Sequence, residues 1–94
     1  MHDFEQNFLA RATQRGGLTF FRASDACAFI DAARAQGVPV LGVEMFLLTA
    51  EATHPQMDHI LDLSGANGQC DTWTEAQRFI TDRSAGDYFF EVTV

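Results

Sequence analysis

The side chains able to do chemistry are few in this sequence, and their spacing suits almost no reaction. The two thiols, Cys27 and Cys70, lie 43 residues apart with no CxxC motif. At that number and spacing they read as free thiols rather than as a disulfide framework. A cysteine becomes a nucleophile when a cation or a helix N-terminus lowers its pKa. Cys27 instead falls beside an apolar helical stripe and Cys70 beside Asp71, and both settings raise a thiol's pKa. His54, Asp58 and His59 sit within six residues. Strand alternation sends Asp58 and His59 to opposite faces, and no HxxxH spacing makes them a metal site. His2 adds nothing to them. Asp58 and Asp62, about 13 Å apart along one strand face, lack the burial that makes a carboxyl a general acid. Gly65-Ala-Asn-Gly68 has neither the glycine count nor the strand-to-helix setting of a phosphate-binding or dinucleotide loop, and there is no nucleophile elbow. The expectation is a protein that is not an enzyme, with no metal and no cofactor.

What must position these residues is a single domain of 94 residues, spanning 1–94, nearly half of them hydrophobic and nine of them Phe. That is enough for one core and too apolar for disorder. The net charge is −7, and the six basic residues are all arginine. An acidic chain without a basic stripe is a poor fit to nucleic acid or to an anionic membrane surface. It fits a basic protein partner, and equally plain solubility. No run approaches the roughly 20 apolar residues of a membrane span. The Met-His-Asp-Phe-Glu start lacks the basic opening and apolar core of a signal peptide. A cytoplasmic protein is expected.

The pattern reads strand, helix, strand, twice over. Leu18 to Arg22 is a short apolar run, and Ser24 to Gln36 carries a helical stripe of Ala26, Phe29, Ile30 and Ala33. Ser24 is its expected N-cap, Gly37 its C′ residue, and Pro39 bars continuation. Gly37 to Thr49 and Asp58 to Leu63 read as strands. Thr72 to Ala85 reads as a second helix with a Thr72…Glu75 capping box and a stripe of Trp73, Ala76, Phe79 and Ile80, and Tyr88 to Val94 as a last strand. Ahead of these, Phe4, Phe8, Leu9 and Ala12 suit a short amphipathic helix with Asp3 as its cap, ended by Gly16-Gly17. The order βαββαβ predicts an α+β, ferredoxin-like sandwich: a four-stranded antiparallel sheet with two helices on one face, plus a short N-terminal segment.

Strand phase then sorts the side chains. Val43, Met45, Leu47, His59, Leu61, Leu63, Tyr88, Phe90, Val92 and Val94 should face the helices. The opposite face should carry Glu44, Phe46, Leu48, Asp58, Ile60, Asp62, Phe89 and Glu91, which mixes apolar groups with four carboxylates and no cation. Apolar patches rimmed by charge mark interfaces, and carboxylates of one sign steer in a basic partner. Three outcomes remain open for this face: a basic protein partner, cover by the N-terminal segment through Phe4 and Phe8, or pairing with a second copy. Gly42 is expected at a bulge or a close backbone approach.

Three runs add a resemblance. Ala32 to Phe46 (AARAQGVPVLGVEMF), Glu75 to Ile80 and Asp87 to Val92 are similar to segments of the bacterial immunity protein 40 family, over about Ser24 to Val94. The resemblance implies a small cytoplasmic α+β protein that neutralises a cognate secreted toxin by binding, without catalysis. Gly37 would be the helix C-cap and Leu41-Gly42 the strand bulge. Strand phase alone supplies the expected contact residues: Glu44, Phe46, Asp58, Ile60, Asp62, Phe89 and Glu91. The competing expectation is a homodimeric ferredoxin-like regulatory or ligand-binding domain.

Overall fold

Gly16 and Gly17 take φ of 56° and 81°. Two successive left-handed residues make the tight turn that matches the twist of a hairpin. They join β1 (Thr13–Arg15) to β2 (Leu18–Phe20), with Arg15 opposite Leu18. The glycine pair thus turns a ribbon rather than ending a helix. The computed structural model describes residues 3–65 and 71–94. The side chain of Asp3, the expected cap, lies outside the described residues, as do His2 and Cys70. Before the ribbon, Asp3–Arg11 forms a 3₁₀ helix.

Beyond β2, the backbone of Phe21 exchanges hydrogen bonds of 2.8 and 2.7 Å with Phe90. This pins the start of α1 (Ala23–Ala35), whose N-cap is Arg22 rather than Ser24. Arg22 has no capping side-chain bond of its own; its guanidinium pairs with Asp87 and lies 4.3 Å from the centre of the Phe89 ring. Gly37, at φ 68°, closes the helix as its C′ residue, as its sequence context requires. Next come β3 (Gly42–Leu48) and β4 (Thr53–Asp62). β4 begins at Thr53, before the expected strand start at Asp58, and takes in Pro55. α2 (Thr72–Asp82) follows, capped by the Asp71 carboxylate, which accepts from the Thr74 amide at 3.0 Å. The expected cap, Thr72, is buried instead, and its hydroxyl accepts from the Val40 amide. β5 (Phe89–Thr93) is the last element in the order.

The sheet is three-stranded, in the order β4-β3-β5, and antiparallel throughout. Among the described residues no four-stranded sheet is formed. Phe21, just beyond β2, forms a single bridge with Phe90, while β2 itself lies beside β5 without a ladder to it and pairs with β1 in the ribbon. The fold is therefore α+β, with a three-stranded sheet and a separate two-stranded ribbon. Both helices pack on one face, where Phe21, Phe29, Ile30, Val43, Met45, Phe79, Ile80 and Phe90 form the core. Burying a side chain of this size contributes about 1.5–3 kcal/mol. Phe4 and Phe8 join the same side against Phe29, with ring centroids 5.2 and 5.6 Å away. The N-terminal aromatics thus extend the helix-side core instead of covering the opposite face.

Polar ties lock the helical layer. Gln77 on α2 donates to the Cys27 carbonyl at 3.0 Å and to Asp31 at 2.8 Å, Trp73 Nε1 to the Val38 carbonyl at 2.7 Å, and Arg34 to Thr74 at 2.8 Å. Arg83, at the end of α2, donates to His59 Nδ1 on β4 at 3.0 Å. Among the described residues, no helix is long and apolar enough to cross a membrane.

Candidate functional site

Register decides what the face away from the helices presents. Glu44 on β3 stands opposite Glu91 on β5 and, on its other side, opposite Ile60 on β4. Gly42 stands between Thr93 and Asp62. Side chains directly opposite share a face, so Glu44, Glu91, Ile60, Asp62 and Thr93 lie together there. Gly42 floors this end of the sheet, since a Cβ on it would come within 3.0 Å of the Leu61 carbonyl oxygen. The expected close approach is therefore at Gly42. The register shift falls elsewhere, between Glu44 and Phe46, where residues 56–59 of β4 oppose the single Met45.

A shallow groove lies here, lined by Leu41, Gly42, Glu44, Ile60, Asp62 and Thr93 among others. Leu41 and Ile60 are 39 % and 43 % exposed. The far half of the face is closed. Phe46 is only 5 % exposed, because the Phe20 ring of the ribbon packs edge-on against it at 4.8 Å. Arg15 holds the ribbon down by donating to the carbonyls of Thr49 and Ala52 at the β3–β4 turn. Phe89 is half-buried beneath Arg22. Asp58 is exposed but sits in the irregular stretch of β4.

Of the seven expected contact residues, the fold thus gathers Glu44, Ile60, Asp62 and Glu91. It sets Asp58 apart and removes Phe46 from access, and it leaves Phe89 under a cation. Leu47, expected toward the helices, is 37 % exposed near the end of its strand. Leu41 and Thr93 were missed as groove residues. So was the ribbon that covers Phe46, although a Gly-Gly pair between Thr13–Arg15 and Leu18–Phe20 is a hairpin signal.

Electrostatics single out the same corner. Burial, and then the Glu44 charge, push the Glu91 carboxyl above its usual range. The Ser64 hydroxyl and amide hold Asp62 below its own, at 2.6 and 3.0 Å. All six arginines are engaged elsewhere: Arg11 with Asp25, Arg22 with Asp87, Arg34 with Asp71 and Arg78 with Glu75, Arg15 with two carbonyls, and Arg83 with His59. Among the described residues, none forms an ion pair with Glu44, Asp62 or Glu91.

Such a corner can receive a guanidinium or ammonium group, which a carboxylate pair binds through charge-assisted hydrogen bonds. Cys27 is half-buried on the helix side, and burial pushes its thiol up. Among the described residues, no three His, Cys, Asp or Glu side chains come together as a metal site. Compared with protein-family models, with curated proteins and with solved structures, the chain finds no match.

Proposed function

We propose that this chain is a non-catalytic binding module that docks a basic protein surface on the open half of its outer sheet face. The observation that carries this reading is the Glu44–Glu91 pair: two opposed carboxylates, one of them partly buried, in a chain whose every arginine is committed elsewhere. Like charges directly opposite destabilise a sheet. A partner cation would relieve that cost on binding, and Leu41 and Ile60 would add apolar contact beside it. The carboxylates would act chiefly on association rate and on choice of partner.

The specific form we favour is neutralisation of a cognate toxin by occlusion in a bacterial cytoplasm, which rests on the resemblance to the immunity protein 40 family. The test compares the native chain with an E44K/D62K variant as bait in the source lysate, at low and at high salt. A basic protein held by the native chain, released by salt and lost with the variant supports the reading. Equal retention by both baits overturns the proposed face. Toxicity of the captured protein on expression alone, cured by co-expression of this chain, would establish immunity; harmless expression would remove it.

A further inference from the structure

The groove is lined in part by β4, an edge strand of the sheet, and the phase of β4 determines which backbone groups that edge offers. The Leu63 amide donates to the Leu41 carbonyl at 2.8 Å. In an antiparallel pair, inward- and outward-pointing residues alternate, so Leu61 and Leu63 direct their backbone groups at β3. The amides and carbonyls of Ile60 and Asp62 then point away from the sheet, at the edge that β4 leaves unpaired. These are the same two residues whose side chains stand beside Glu44 on the outer face.

Edge strands are protected by proline, bulges and inserted polar groups. β4 has all of these in its first part: Pro55, the irregular residues 56–59, and a Gln56 side chain that donates to the His54 carbonyl. From Ile60 to Asp62 the strand is regular, and among the described residues nothing is bonded to its outward backbone groups.

We infer that residues 60–62 of β4 accept an extended, basic segment of the partner as an added strand. This deepens the proposed function and rests on it. The added strand would bond to the Ile60 and Asp62 backbone and lay alternate arginine or lysine side chains toward Asp62 and Glu44, as in peptide recognition by strand addition. Charge decides between occupants. A second copy paired about Ile60 would set Asp58 opposite Asp62 twice, between two chains of net charge −7, and opposed like charges destabilise such pairs.

The test uses the full chain and a short capped peptide of alternating arginine and threonine. One analogue is N-methylated on the amides that would face β4, and another on the amides that face away. Slowed amide exchange at Ile60 and Asp62, about tenfold weaker binding with the first analogue, unchanged binding with the second, and similar weakening by D62K are expected. A peptide that shifts the Glu44 and Glu91 side-chain resonances without protecting these amides would overturn strand addition and leave the binding face intact. Failure of the arginine peptide to bind at all, with an alternating lysine peptide also silent, would overturn both. Protection of Ile60 and Asp62 without peptide, in a sample that sediments as a dimer, would overturn the choice of occupant.

Discussion

Glu44 and Glu91 face each other across the β3–β5 pair, and Glu91 is partly buried with its carboxyl pushed up by that burial and by the Glu44 charge. A carboxyl whose pKa is raised on folding contributes stability below its unfolded value and loses it as pH rises through the folded value. At neutral pH the ionised Glu91 therefore works against the fold. Glu91→Gln should stabilise the chain at neutral pH by about 0.2–1 kcal/mol, the range for cross-strand pairs, toward the low end because the group is partly screened by water. The gain should vanish in acid below the ordinary carboxylate range. Urea denaturation of both proteins across that range measures it. An equal gain at both ends of the range would show that charge is not its source.

Asp71 behaves in the opposite sense. The Thr74 amide and hydroxyl, and more weakly Arg34, hold its carboxyl below the usual value. Its contribution is present above the unfolded pKa and lost as pH falls through the folded one. Asp71→Ala should lower the melting temperature at neutral pH and fray the first turn of α2, with a smaller loss in strong acid, where the protonated carboxyl still accepts a hydrogen bond but has lost its charge. Thermal melts followed by circular dichroism test this, and Asp71→Asn should recover much of the loss because Asn also caps.

Phe20→Ala tests the ribbon. Phe20 is fully buried against Phe46, and removing such a ring costs about 3–5 kcal/mol. Amide exchange should accelerate across Thr13–Phe20 and at Phe46 more than in the helices. Uniform acceleration would mean that the ribbon unfolds only with the whole domain.

Gly16 offers a gentler probe. Both turn glycines have positive φ, with open space around their Cβ positions, so only backbone preference opposes substitution. Gly16→Asn should be nearly neutral, since Asn-Gly suits this turn, whereas Gly16→Val should cost roughly 1–2 kcal/mol. Chemical denaturation of the two variants gives the comparison.

Elements whose identity depends on local spacing were legible in the sequence. The Ala26-Phe29-Ile30-Ala33 and Ala76-Phe79-Ile80 stripes both form buried helix faces, because residues three and four apart fall on one side of a helix whatever lies against it. The Gly37 stop was legible for the same reason, as was the strand alternation that puts Val43 and Met45 inside and Glu44 outside. Helix starts were less so. Ser24 gave way to Arg22 and Thr72 to Asp71, since the Phe21–Phe90 bridge and the Val40–Thr72 bond act from distant parts of the chain.

By itself, then, the sequence determined an acidic α+β domain with two amphipathic helices and a set of carboxylates on alternate strand positions. Periodicity and composition are local, and they survive any arrangement of the strands. Tertiary structure decided which of those positions meet. It spent β2 on a ribbon with β1 instead of on a fourth sheet strand, closed Phe46 beneath Phe20, and placed four residues of β4 opposite Met45. It also paired Glu44 with Glu91 while engaging every arginine elsewhere. Those outcomes depend on long-range register and on which distant side chains meet, and no short stretch of sequence encodes that.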